Sequence, residues 1–131
     1  MQRMDPVVVM MAADHASRGL GIELVESGLG RATTRMAVTE VMVNGHGIAH
    51  GAFVFAVADT AFACACNSHG PMTVAAGADI AFVAPVRAGD VLEAEAVERI
   101  RFGRNGIYDV TVRCGTEVVA EFRGRSRTVQ R

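Results

Sequence analysis

The chain has 131 residues, of which 50% are apolar and 21% charged, with a formal net charge of −1. That is one domain's length, long enough to build a core without staples, and its charge gives no global attraction to nucleic acid or to an anionic membrane. Three cysteines, Cys64, Cys66 and Cys114, are odd in number and lack framework spacing, which argues against a disulfide scaffold.

At the N-terminus, Arg3 and the short apolar run Val7 to Met11, soon interrupted by Asp14, do not make a signal peptide. Asp5-Pro6 reads as an N-cap followed by proline at the first helical position, and the spacing predicts a helix over Val7 to Arg18 with Gly19 as its C-cap. Ile22 to Val25 and Arg31 to Val38 read as strands joined by a turn at Ser27-Gly28-Leu29-Gly30. Val43 to Ala49, rich in Asn, Gly and His, reads as a loop. Gly51 to Cys66 is apolar on every face and rich in alanine, so a buried helix is expected there, ended by Asn67-Ser68-His69-Gly70-Pro71. It is too short and carries Asp59 too centrally to span a membrane. Met72 to Pro85 is one extended run, followed by a turn to Asp90. Leu92, Ala94 and Ala96 alternate with Glu93 and Glu95, a strand with one wet face. Asn105-Gly106 signals a hairpin, Tyr108, Val110 and Val112 alternate again, and Cys114-Gly115-Thr116 turns the chain into Val118, Ala120 and Phe122. The expected fold class is α+β. A curved antiparallel sheet wraps the central helix of residues 50–67 in a single domain over 1–131, with an N-terminal helical segment at 1–20.

Asp59 is the only carboxylate in the apolar helix. A buried, unpaired carboxylate is costly, so it must be paired, partly exposed in a cleft, or neutral. The residues alone leave open a working acid and a structural one bonded to neighbours. At the helix start, His50-Gly51-Ala52, free backbone N–H groups and the positive dipole end suit a developing oxyanion, while Gly51 equally suits plain close packing. Gly51 and Asp59 are eight residues apart, or about 12 Å of helix rise. One carbonyl cannot touch both on one chain. If they act on one bond they come from two antiparallel copies of the helix, which requires a twofold dimer. Asn44 and His50 can orient water or simply cap. His46 and His69 read as loop residues. Cys64 and Cys66 point to different faces of the helix, so no metal site is expected. Arg99, Arg101, Arg104, Arg113, Arg123, Arg125, Arg127 and Arg131 crowd the last third, where a polyanionic small ligand such as a nucleotide tail finds partners.

The run Asn44-Gly45-His46-Gly47-Ile48-Ala49-His50-Gly51-Ala52, then Ala58-Asp59-Thr60-Ala61-Phe62-Ala63 and Cys66-Asn67-Ser68, closely resembles the phenylacetate-pathway (PaaI-type) thioesterases of the hotdog-fold superfamily. Pro85 to Asp90 and Gly103 to Val110 extend the resemblance over nearly the whole chain. It implies hydrolysis of an aryl- or medium acyl-CoA, phenylacetyl-CoA or its hydroxylated form, to free acid and CoA. The expected setting is a cytoplasmic homodimer or homotetramer needing no cofactor beyond the CoA of its substrate, and no metal. Asp59 is then general base or nucleophile, and the partner's Gly51 N–H polarises the carbonyl. Asn44 and His50 orient water and support the helix start. Arg101, Gly103, Arg104 and Asn105 fall where CoA is contacted, with Arg125 and Arg127 as further phosphate candidates. Gly77 stands where some relatives carry a water-holding serine, and Ala52 where many have a second glycine, narrowing the acyl entrance. Phe53, Val54 and Phe62 are candidates to line the acyl pocket. The alternatives are a non-catalytic acyl-CoA binding or sensing module and, with His50 as the acting base, a hotdog hydratase or dehydratase.

Overall fold

The computed structural model describes residues 4–129, so Arg3 and Arg131 of the sequence reading lie outside the described residues. Six strands form one antiparallel sheet: β1 (Glu23–Gly28), β2 (Arg31–Ala37), β3 (Thr73–Phe82), β4 (Val91–Phe102), β5 (Asn105–Cys114) and β6 (Glu117–Thr128). Their spatial order is β1-β2-β4-β5-β6-β3. Helix α3 (Gly51–Asn67) packs against every one of them. Six strands laid flat span about 24 Å, whereas a helix with its side chains is only about 10–12 Å across. Both edges reach α3 only because the sheet curls around it, which is the hotdog arrangement.

The alternation that marks the strands also seats the helix. Leu92, Ala94 and Ala96 of β4 and Tyr108, Val110 and Val112 of β5 are buried toward α3, whose facing residues include Val54, Val57, Ala58, Ala61, Phe62 and Ala65. Small residues on both sides let helix and sheet approach closely. The buried Thr34 hydroxyl is satisfied by donating to the Val57 carbonyl at 2.9 Å.

The sequence expectation of a helix buried on all sides is corrected in one respect. Ala52 is exposed, and Ala56, Asp59 and Ala63 are only half-buried. Spaced four, three and four residues apart, they form one stripe along α3. A single sheet covers a helix from one side, and the N-terminal helices cover only part of the remainder. The unpaired long edge of β3, which bonds only to β6, is the free border of the same sheet.

Three local expectations also change. The single helix over Val7 to Arg18 is two: α1 (Pro6–Ala12) and α2 (His15–Gly19). The Asp14 side chain accepts from the Ser17 N–H and so caps a new helix instead of continuing the old one. Asp5 and Pro6 start α1 as expected, but the left-handed glycine that ends the segment is Gly21, with φ of 74°. The β4–β5 turn is Gly103-Arg104, because Phe102 already pairs with Asn105. Gly103 takes φ of 60° while no non-glycine residue among the described residues has positive φ, the signature of a II′ hairpin turn. Asn105-Gly106 therefore lies inside β5. β3 ends at Phe82, short of the Pro85 expected, and β1 runs from Glu23 to Gly28.

Among the described residues no helix is long and apolar enough to cross a membrane. The thiols of Cys64, Cys66 and Cys114 are all free, the first two buried and Cys114 half-buried at the β5–β6 turn.

Candidate active site

His50 is the N-cap of α3, and its Nδ1 accepts from the Ala52 N–H at 3.2 Å. The loop before it is fixed from both sides. Asn44 Oδ1 accepts from the His46 and Ile48 N–H groups, and the Ala49 N–H donates to the Val86 carbonyl at 2.7 Å. With Ala52 occupied by the histidine ring, the Gly51 N–H is left with no partner among the described residues. A Cβ at Gly51 would come within 2.7 Å of the Phe82 ring, so glycine is what lets that ring lie over the helix start. Beside it opens an apolar cleft of about 370 Å³ lined by Ile48, Val54, Phe82, Pro85, Val86 and Val119 among others. Of the side chains expected to line an acyl pocket, Val54 lines this cleft and Phe53 is not among its walls. Neither is Phe62: it is buried in the core against Tyr108 and Phe122, at ring separations of 5.6 and 5.8 Å.

Asp59 sits midway along the open stripe of α3. It makes no hydrogen bond or ion pair among the described residues, and every fully buried side-chain polar atom there has a partner. Of the three states that its position allows, pairing is not seen among the described residues, and the side chain is half-buried. Burial raises its pKa above the ordinary 3.8, and the neighbouring Asp14 carboxylate raises it further. Asp14 is there because it caps α2. Its Oδ2 accepts a hydrogen bond from the Ser17 hydroxyl at 2.7 Å, and Ser17 in turn meets the Thr60 hydroxyl at 2.8 Å. The N-terminal segment is thus bonded to the residue next to Asp59. Sequence reasoning missed Asp14, although a helix-interrupting Asp just past the expected midpoint was its visible signal.

Arg101, Gly103, Arg104 and Asn105 come together in one cleft of about 210 Å³ at the far end of α3, with His69, Thr73, Tyr108, Ser126 and Thr128 among its other walls. Arg125 and Arg127 do not line it. Arg125 lies along Gly77 on the sheet edge and is 3.1 Å from Asp79. The basic crowding of the last third is partly neutralised: Arg123 makes a two-pronged bond to Asp109 at 2.6 and 2.9 Å, Arg99 joins the same carboxylate, and Arg113 faces Glu95. Arg123 in this way holds the Asp109 carboxyl below the usual range. His69 lies in the turn after α3, as its reading as a loop residue expects, and its Nε2 is bonded to Glu98 Oε1 at 2.7 Å. Glu98 occupies the inward row of Leu92, Ala94 and Ala96, and an acid in a core-facing register was the signal for it. No three of His, Cys, Asp and Glu gather as a metal-holding group among the described residues.

The chain matches the family model of the thioesterase superfamily over residues 46–121. It is 41% identical to the acyl-coenzyme A thioesterase PaaI of Escherichia coli K12 over 92% of its own length and 86% of that protein's. The structure of the E. coli PaaI protein from the phenylacetic acid degradation operon superposes with a TM-score of 0.92 and 39% identity, covering 95% of this chain and 91% of that one. A mutant of the phenylacetic acid degradation protein PaaI from Thermus thermophilus gives 0.86 and 34% identity, covering 88% and 100%.

Proposed function

This chain belongs to the thioesterase superfamily, and from that membership we propose that it hydrolyses aryl- or medium acyl-CoA thioesters, phenylacetyl-CoA or a ring-hydroxylated form first among them. The single observation that carries the chemistry is an Asp59 carboxylate on an open helix face, eight residues from the Gly51 N–H on the same helix, neither with a partner among the described residues. About 12 Å of rise separates them, so two copies of α3, antiparallel and side by side, bring one chain's carboxylate to the other's amide. The small side chains of the stripe at Ala52, Ala56 and Ala63 suit that approach, and the free edge of β3 suits continuation of the sheet across it.

In this reading the apolar cleft beside Gly51 takes the acyl group. The thioester carbonyl oxygen accepts from the Gly51 N–H and from the positive end of α3. Asp59 either removes a proton from the attacking water or attacks the carbonyl itself. With Asp59 as base, water adds, the C–S bond breaks, and the proton that Asp59 took passes to the CoA sulfur as the acid leaves. With Asp59 as nucleophile, C–S cleavage releases CoA thiolate and leaves an acyl–Asp59 anhydride, which water then hydrolyses to the free acid, its proton ending on the CoA sulfur. Asn44, which holds the loop, and His50, which caps the helix, keep Gly51 presented. The cleft at Arg101, Gly103, Arg104 and Asn105 takes the nucleotide end of CoA. Nothing in this sequence of steps calls for a metal or redox cofactor. A homodimer is the minimal active unit, with a tetramer built from two. The cytoplasm is the compartment that suits three free cysteines and a CoA ester substrate.

The test is thiol release from phenylacetyl-CoA by the wild type and by Asp59→Asn. The isosteric amide keeps shape and removes the base, so kcat falls by about 10²–10⁴. Coexpressing Asp59→Asn with Gly51→Val restores a fraction of the activity, because one of the two shared sites then has both intact groups. Full turnover by Asp59→Asn refutes the role given to the carboxylate, and failure of every mixed dimer to recover refutes the shared site. Tight CoA-ester binding with no thiol release would make the protein a binding module.

A further inference from the structure

Strand β4 points its even-numbered residues at α3 as far as Glu98, which stands opposite Tyr108. A bulge then inserts one residue between Glu98 and Ile100. Beyond it the phase is reversed. Arg101 stands opposite Gly106, in the row of Tyr108, Val110 and Val112 that faces the helix. Without the bulge Arg101 would share the outer face with Val97 and Arg99. Bulges re-aim side chains in this way, and here the re-aimed group is a guanidinium at the rim of the cleft.

What holds it there is a chain of hydrogen bonds. Arg101 Nη1 lies 3.1 Å from His69 Nδ1, and His69 Nε2 lies 2.7 Å from Glu98 Oε1. A guanidinium has donors only, so Nδ1 accepts from Arg101 and the ring carries its proton on Nε2, which donates to Glu98. The same Glu98 oxygen accepts from the Tyr108 hydroxyl at 2.8 Å, and Tyr108 is only 1% exposed. The Glu98 backbone N–H is tied to the Gly30 carbonyl at 2.8 Å. The groups behind His69 are therefore anchored to the core, while Arg101 itself is exposed and otherwise unpaired among the described residues.

An exposed arginine loses much side-chain freedom when it binds, and a neutral acceptor behind it removes part of that cost in advance without neutralising its charge. A carboxylate in the position of His69 would bind the guanidinium and compete with an incoming anion; an imidazole does not. We infer that His69, held by Glu98, is a positioning residue that fixes the Arg101 guanidinium over this cleft to receive a phosphate of the CoA nucleotide. The inference rests on the acyl-CoA reading and adds to it two residues, His69 and Glu98, that act through Arg101.

Calorimetric titration of the intact protein with CoA, dephospho-CoA and pantetheine tests it. His69→Gln reaches toward Glu98 but leaves nothing in the place of Nδ1, whereas His69→Asn puts its amide oxygen there. CoA binding weakens about tenfold in His69→Gln, the fraction of a charge-assisted hydrogen bond that ordering supplies, and returns to within about threefold of wild type in His69→Asn. Pantetheine, which has no nucleotide phosphate, shows no matching loss. The loss is confined to CoA if the 3′-phosphate is the one received, and shared by dephospho-CoA if the diphosphate is; either supports the inference. In an Arg101→Ala background the effect of His69→Gln vanishes, because His69 acts only through that side chain. Equal losses for CoA and pantetheine, or additive losses in the double variant, overturn the positioning role while leaving the acyl-CoA reading intact. A wild-type protein that binds no CoA overturns both.

Discussion

Gly124 of β6 faces the Phe62 ring so closely that a Cβ there would sit 2.8 Å from three ring atoms. Gly124 does not have positive φ, so alanine meets no backbone strain and, in open space, would stabilise by about 0.4–1 kcal/mol through the unfolded chain. The clash decides the sign against it. Contact becomes ordinary only near 3.4 Å, and the ring has nowhere to go: Phe62 is 1% exposed and boxed between Tyr108 and Phe122. Forcing extra volume into such a site costs about 1–3 kcal/mol. Gly124→Ala should therefore melt lower, at about 3–6 °C per kcal/mol for a chain of this length, in calorimetry at fixed protein concentration. Replacing Phe62 by leucine in the same background frees the space, and the two changes should couple favourably by at least about 0.5 kcal/mol. Phe62 lies three residues beyond Asp59 on α3, so the activity of Gly124→Ala also reports whether the helix is pushed off its seat. A variant as stable as wild type, or strictly additive with Phe62→Leu, would show that the helix–sheet gap is not closed as described.

The remaining expectations concern charge. Asp14→Asn still caps α2, since the amide oxygen accepts from the Ser17 N–H while the NH2 group donates to the Ser17 hydroxyl in place of accepting from it, and it removes a like charge near Asp59. The Asp59 pKa comes down, and the acid limb of the kcat/KM profile moves to lower pH; an unmoved limb would break the link between the two carboxylates. Asp59→Asn has a second consequence, in stability. Its folded pKa is raised by burial and by Asp14, so the stability it confers is fully present below the unfolded value near 3.8 and is lost as pH rises through the folded one. Above that folded value the ionised acid burdens the fold, and Asp59→Asn should there melt higher than wild type while losing turnover. A lower melting temperature would mean that the carboxylate has a stabilising partner in the assembled protein.

Much of this was legible before any coordinates. The alternation at Leu92 to Ala96 and Tyr108 to Val112, and the alanine-rich run from Gly51, marked sheet and helix because period and propensity agree there. Asp59 stood out because a lone acid in such a run has no inexpensive explanation. Where local signals competed, reading failed. Asn105-Gly106 is a strong turn pair, yet Gly103-Arg104 turns the chain because cross-strand register places Phe102 opposite Asn105. The continuous helix from Val7 broke because Asp14 finds both Ser17 and, through it, Thr60, a bond 43 residues away that no local rule anticipates. The bulge after Glu98 is likewise invisible to a period-two reading, which puts Arg101 on the wrong face.

The two cysteines of α3 bear on how such an enzyme survives its own product. Each turnover of the proposed reaction liberates a thiol, and CoA disulfides exchange with protein thiolates. Burial pushes both the Cys64 and Cys66 thiols up to about 12, so at cellular pH almost none of either is in the attacking form. Of the three thiols, Cys114, half-buried at the β5–β6 turn, is then the one left open to mixed-disulfide capture.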